Sequence, residues 1–184
     1  MILRDLTVAD AQAFWALRLL GLQTDPSAFG SSWEESHTMP FEQVVALVAE
    51  RTTGPDYAIL GAFVEEKGEE RLVGVTGFRR HENMKERHKS FIWGVFVHPD
   101  HRGQGIAGAL LDDLIRRHAA QPGIRQIQLQ VTAQNEGAVG LYASRGFQVF
   151  GREEEALFVD GRYYTDLHMV RRLDMDNAKS AQVE

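Results

Sequence analysis

The sequence predicts an α/β (α+β) protein, with a single layer of sheet and helices packed on it. Three observations lead there. Several separate runs alternate apolar and polar residues with period two, stretches of helical period lie between the later runs, and no repeat or linker divides the chain. A chain of 184 residues can bury a sizeable core without staples. Residues 1–173 read as one domain and 174–184 as a polar tail that frays.

Ile2 to Leu6 starts a strand, and Thr7 caps a helix with Phe14, Leu17, Leu20 and Leu22 at loosely helical spacing. Gly21 weakens the end of that helix. An irregular link, marked by Asp25-Pro26 and Gly30-Ser31-Ser32, carries Phe29 and Trp33. A second helix runs from Phe41 to Glu50. Tyr57 to Glu65 and Arg71 to Arg80 read as a hairpin around a polar turn, Glu66 to Glu70, and Phe91 to Val97 is the next strand. Gly103 to Ala120 is helical, with Ile106, Leu110, Leu111, Leu114 and Ile115 on one stripe. Ile124 to Thr132 alternates cleanly. Asn135 opens a short helix that stops at Gly146. Phe147 to Gly151, Leu157 to Val159 and Tyr163 to Val170 read as closing strands, the last two around an Asp160-Gly161 turn.

Composition narrows the chemistry. Hydrophobic content of 43% and charged content of 25% suit a soluble globular protein, and a cytoplasmic location is expected. No apolar run approaches a membrane span. The absence of cysteine excludes disulfides, thiolate metal sites and an enzyme-bound thioester. A net charge of −6 argues against a broad nucleic-acid surface, yet it permits one local anion site built from backbone N–H groups. His98 and His101 are spaced like ligands, but no third and fourth ligand accompany them, so no metal is expected.

The stretch Val95 to Ile115 sets a strand, a proline break, two spaced glycines and a helical pattern side by side. Gly103-Gln104-Gly105-Ile106-Ala107-Gly108 matches G-x-G-x-x-G literally. A dinucleotide site needs the first glycine directly after the strand and an acidic residue closing the next strand. Here His98 to Arg102 intervenes and the next strand ends Val131-Thr132-Ala133-Gln134. Two readings remain: glycines that permit close packing, or bare N–H groups at a helix start that cradle a phosphate or pyrophosphate.

Val97-x-Pro99-x-x-Arg102-Gly103-x-Gly105-x-Ala107 resembles the acyl-coenzyme A signature of the GNAT superfamily of N-acyltransferases. About thirty residues on, Asn135-x-x-Ala138-x-x-Leu141-Tyr142-x-x-x-Gly146-Phe147 resembles the second signature of that superfamily. The resemblance is strong over residues 91–170 and weaker before them, where only Leu17-Arg18 and Ala28-Phe29-Gly30 are similar to some members. It implies a GNAT-like mixed, twisted, mostly antiparallel sheet, split into a V between Phe91–Val97 and Ile124–Thr132, with helices on both faces. It also implies acetyl-CoA as cosubstrate and direct transfer of its acetyl group, in a ternary complex, to a primary amine of a small molecule or peptide. A homodimer is compatible with it.

By the same resemblance, backbone groups of Val95, Phe96 and Val97 would pair with the pantetheine arm, and Gly94 fits a bulge that helps the strands splay. Arg102, Gly103, Gln104, Gly105, Ile106 and Ala107 would hold the pyrophosphate, and Asn135 would contact the pantetheine while capping its helix. Tyr142 is the expected proton donor to the departing thiolate; its plainer role is packing beside Leu141 and Phe147. No Asp or Glu lies in Phe91–Val97, so deprotonation of the amine through water is the default, with Glu82, Glu86, His81 and His88 read as solvated loop residues. Asp166 and His168, on a strand face beside Tyr164, read as hairpin decoration, with lining an acceptor site as the alternative. Phe29, Trp33, Glu34, Trp93 and Tyr164 are the candidates for an acceptor pocket. With no visible base, the rival reading is a non-catalytic acyl-CoA-binding module.

Overall fold

The computed structural model describes residues 1–173, so the expectation of a frayed tail lies outside the described residues. Strands β1 (Ile2–Asp5), β2 (Tyr57–Glu66), β3 (Glu69–Arg80), β4 (Lys89–Val97), β5 (Gln126–Thr132), β6 (Gln148–Val159) and β7 (Arg162–Arg172) form one sheet in the order β1-β2-β3-β4-β5-β7-β6. Every neighbouring pair is antiparallel except β4 and β5. The helices are α1 (Ala11–Thr24), α2 (Trp33–Ser36), α3 (Phe41–Arg51), α4 (Ile106–Ala119) and α5 (Glu136–Ala143).

Both faces of the sheet are covered. On one, Ile106, Leu110, Leu111, Leu114 and Ile115 of α4 pack with Leu60, Val73, Phe78, Ile92, Ile127 and Leu129. On the other, Phe14 and Leu17 of α1 and Val44 and Val48 of α3 pack with Ile59, Phe63, Val75 and Phe96. Burial on two faces explains why β2 and β3 are buried over consecutive residues rather than on alternate ones.

The V lies between β4 and β5. Their parallel ladder joins only Lys89, Ser90 and Phe91 to Gln126, Ile127 and Gln128, and beyond Phe91 the edge of β4 that faces β5 has no ladder partner. A bulge in β4 helps the strands part. Val75 faces Phe96 and Gly77 faces Trp93, so Gly94 and Val95 together oppose Thr76. Gly94 has φ +63, a left-handed conformation that a side chain would strain.

Several boundaries differ from those the sequence suggests. The hairpin turn between β2 and β3 is only Lys67-Gly68, both at positive φ, because the charged residues around it extend the ladder to Glu66↔Glu69. The Asp160-Gly161 turn forms where expected, with φ +48 and +76. α4 starts at Ile106 rather than Gly103, since Gly103 and Gly105 have φ +75 and +78 and lie in a loop. β6 is one strand, with register shifts after Val149 and after Glu153 that blur its alternation. The irregular link contains a short 3-10 turn, Pro26–Ala28, and α2, whose cap Ser32 accepts a hydrogen bond from the Glu35 amide at 3.2 Å. Gly21 has a packing role in α1: a Cβ there would sit 3.1 Å from the ring of Phe96 and 3.2 Å from that of Phe29.

Candidate active site

Two clefts open beside the splayed strands, and Ala28 and Phe29 line both. The first, of about 450 Å³, runs along Val95, Phe96 and Val97, past the loop Arg102, Gly103, Gly105, Ile106 and Ala107, to Asn135, Leu141 and Tyr142. Of the residues the motifs nominate for the coenzyme, only Gln104 does not line it.

The glycines of the loop do different jobs. A Cβ at Gly103 or Gly105 would meet no atom within 4 Å, so close packing does not account for them. Their positive φ angles do: the backbone turns through a left-handed path and then enters α4. The result is a bare loop at the start of a 14-residue helix, where unpaired N–H groups and the macrodipole favour an anion. Gly108 is the packing glycine. A Cβ there would fall 2.4 Å from Arg145 Nη2, and Arg145 crosses α4 at that point to form a forked pair with Asp112 at 2.8 and 3.1 Å.

Arg102 is braced inward. Its Nη2 donates to Asp25 Oδ2 at 2.6 Å and its Nε to the Val97 carbonyl at 3.1 Å, with the guanidinium 5.4 Å from the Phe96 ring centre. It therefore clamps the loop to the end of α1, and any phosphate competes with Asp25 for it. Asn135 caps α5, its Oδ1 accepting from the Ala138 amide at 3.1 Å. Tyr142 is 6% exposed and meets Phe147 edge-on at 6.0 Å. Its hydroxyl has no hydrogen-bond partner among the described residues, and burial pushes its pKa above the ordinary phenol range. The phenol keeps its proton at neutral pH, as a donor must.

The second cleft, of about 630 Å³, lies on the other side of the bulge. Phe29, Trp93 and Gly94 line it, with Arg18, Arg51, Tyr57, Arg79, Glu82, Gln130, Thr132, Glu153, Leu157 and Asp166. Trp93 lies flat across Gly77 of β3, where a Cβ would fall 2.0 Å from its Cε2. The Thr132 hydroxyl donates to the Ser27 carbonyl and lies 3.3 Å from Asp166 Oδ1, which ties the 26–28 turn over the end of β5. Burial raises the Asp166 pKa, and the Thr132 hydrogen bond partly opposes that rise. Tyr57 donates a short hydrogen bond to Glu82, which raises the phenol pKa.

Trp33, Glu34 and Tyr164 line neither cleft. The single turn of α2 carries Trp33 away to stack on His37 at 4.0 Å and leaves Glu34 exposed. Tyr164 pairs across the hairpin with Leu157. Conversely Glu82 and Asp166, read from sequence as a loop residue and a decoration, both line the second cleft. Arg51, Arg79, Thr132 and Glu153 carry no local pattern that marks them, and Arg18 is marked only as part of the Leu17-Arg18 pair; they meet because α1, α3, β3, β5 and β6 converge there. His101 pairs with Glu66 at 3.0 Å, and among the described residues no three His, Cys, Asp or Glu side chains converge as a metal site.

Residues 24–147 match the model of the acetyltransferase (GNAT) family, over more than half of the chain. The chain belongs to that family. Among its relatives, the spermidine N(1)-acetyltransferase of Vibrio cholerae is 29% identical over 101 residues, 55% of this chain and 57% of the relative. The L-2,4-diaminobutyric acid acetyltransferase of Streptomyces anulatus is 28% identical over 111 residues, 60% of this chain and 61% of the relative. The chain thus spans about three-fifths of the length of these relatives. The GNAT phosphinothricin acetyltransferase of Sinorhizobium meliloti, solved in complex with AcCoA, superposes with a TM-score of 0.80 at 21% identity, covering 96% of this chain and 90% of that one. The mixed sheet split into a V is the fold of this GNAT chain, and among its described residues no helix is long and apolar enough to cross a membrane.

Proposed function

We propose that residues 1–173 act as one N-acetyltransferase domain, moving an acetyl group from acetyl-CoA to a primary amine within a ternary complex. The observation that carries this reading is the meeting of the two clefts at Ala28, Phe29 and the Gly94 bulge. The bare loop at Gly103–Gly105 suits the pyrophosphate, and the unpaired β4 edge beyond Phe91 suits the amides of a pantetheine arm. A thioester lying along that edge would reach the bulge, where the acceptor amine would approach it from the second cleft. Relatives that acetylate spermidine and diaminobutyrate, and a structural neighbour solved with AcCoA, support the same donor and acceptor chemistry.

In this reading the amine nitrogen, freed of its proton, attacks the thioester carbonyl carbon. The C–N bond forms, the C–S bond breaks, and the departing thiolate takes the proton of Tyr142. A backbone N–H at the bulge faces the oxyanion, a contribution worth roughly 3–4 kcal/mol in acyl transfer. One ammonium proton leaves before attack and the nitrogen sheds a second after it, both through water toward the carboxylates lining the second cleft, Asp166, Glu153 and Glu82. Tyr142 then recovers a proton from solvent.

The deciding experiment is a panel of primary amines assayed for acetyl-CoA-dependent thiol release, with the acetylated product identified by mass. Release with at least one amine, abolished when the loop glycines are replaced, is the expected result. Tight acetyl-CoA binding with no release from any amine would make the protein a binding module instead.

A further inference from the structure

Charge in the second cleft is unevenly satisfied. Arg4, Arg80, Arg87, Arg102, Arg117 and Arg145 each hold a carboxylate oxygen between 2.6 and 3.7 Å. Three arginines that line the cleft, Arg18, Arg51 and Arg79, form no ion pair among the described residues; Arg79 lies over the Phe91 ring at 5.4 Å, whereas Arg18 and Arg51 stand close enough to act on one another. Arg18 is mostly buried, and its guanidinium has only the Ser31 hydroxyl at 3.2 Å and the Phe29 ring at 5.8 Å. Arg51 lies over the Trp93 ring at 4.9 Å. Burial and the charge of Arg51 together depress the Arg18 pKa, so the two cations repel one another. Aromatic faces orient these forks without neutralising them.

The position matters as much as the charge. Arg18 Nη1 is the nearest atom to where a Cβ on Gly94 would sit, at 3.9 Å, so the guanidinium stands beside the bulge. Other elements that border the cleft bring carboxylates, Glu153 from β6 and Asp166 from β7. Glu50 and Glu82 also line it, but their charges act on Tyr57 rather than closing an ion pair with Arg18 or Arg51. A cleft with an arginine pair on one side and carboxylates on another matches a molecule that carries both an anion and an ammonium.

We propose that the acceptor amine bears a carboxylate, and that Arg18 and Arg51 hold it as a two-guanidinium clamp, so that the substrate is an amino-acid-like zwitterion. This rests on the acetyl-transfer reading of the same cleft. A planar guanidinium matches a carboxylate through two parallel N–H···O bonds, and a desolvated cation gains most from a ligand that supplies the missing charge. A purely cationic polyamine would bring its charge against this wall and bind poorly.

The test uses calorimetry on the full chain loaded with coenzyme A. The probes are the standard α-amino acids and L-2,4-diaminobutyrate, each beside its decarboxylated amine. At least one carboxylate-bearing probe is expected to bind ten-fold or more tightly than its decarboxylated partner. Arg51→Gln should remove that preference while leaving the decarboxylated amine within about two-fold, and Arg51→Lys should restore part of it. Arg18→Lys provides a second variant that keeps the charge but loses the fork. If no pair shows the preference, or if it survives both substitutions, the clamp is overturned. Thiol release on the same samples separates the two readings. Carboxylate-selective binding without release from any amine sinks acetyl transfer and keeps the clamp; equal release from the decarboxylated amines sinks the clamp and keeps acetyl transfer.

Discussion

The two clefts that meet at Phe29 are built from different materials. The first cleft is lined largely by residues close in sequence, Val95 to Gly108 and Asn135 to Tyr142, and its distinctive parts are backbone: a bare glycine loop and a strand edge without a ladder partner among the described residues. The second cleft draws side chains from α1, α3 and six strands, and charged groups dominate its lining. A backbone device needs particular φ angles at adjacent positions, which leaves a short, ordered signature. A side-chain device needs only that distant residues arrive at one place, and it leaves no spacing to find.

The contrast can be broken first on the backbone side, where the largest effect is expected. Gly105→Val puts a β-branched residue at φ +78, costing roughly 1–3 kcal/mol in local strain or rearranging the loop. Acetyl-CoA binding measured by calorimetry should weaken at least a hundred-fold, with circular dichroism unchanged. Retained affinity would mean that the loop geometry is not what holds the coenzyme.

Tyr142→Phe comes next. Its ring stays packed on Phe147, and losing a hydroxyl that has no partner among the described residues should not lower the thermal midpoint. If the phenol supplies the proton, kcat should fall about ten- to hundred-fold while acetyl-CoA affinity holds. Unchanged turnover with a true acceptor would reduce Tyr142 to packing.

Trp93→Ala tests the acceptor side alone. It uncovers Gly77 and removes the platform under Arg51, so KM for the amine should rise about ten-fold while acetyl-CoA affinity stays within about two-fold. An equal loss of both would show that the clefts are not independent.

The smallest effect is expected far from either. Arg4 forms a two-point pair with Asp10 at 2.9 Å, and the Thr7 amide donates to the same carboxylate at 2.8 Å. The Arg4 hydrogen bond, chiefly, holds the Asp10 pKa down at about 2, against an ordinary 3.8. A carboxyl depressed on folding contributes stability that is complete above its unfolded pKa and is lost as pH falls through about 2. Asp10→Asn should therefore cost about 1 kcal/mol at pH 7, a drop of roughly 2–4 °C in thermal midpoint, with a much smaller cost near pH 2. Activity should be unaffected.

Much of this was legible beforehand. The strand–helix order, the Asp160-Gly161 turn, the Gly94 bulge and the nomination of the loop glycines all follow from residue types whose backbone preferences are strong and local. Of the residues nominated for an acceptor pocket, Phe29 and Trp93 line the second cleft and Trp33, Glu34 and Tyr164 do not. Trp33 and Tyr164 are large and aromatic, as a pocket wall would be, but α2 and the β6–β7 register turn them elsewhere. Asp166 looked like decoration because β7 alternates regardless of what faces it; only the 26–28 turn, tied to Thr132, makes its surroundings a cleft.

The amino-acid order by itself determined where the chain turns, which helix begins with exposed amides, and which family the chain resembles, because those depend on neighbours a few residues away. The tertiary structure alone decided that Arg18 and Arg51 face one space without a counter-ion among the described residues and that Arg102 is spent on Asp25. Coulomb forces and desolvation act through space, and only the folded chain sets those distances.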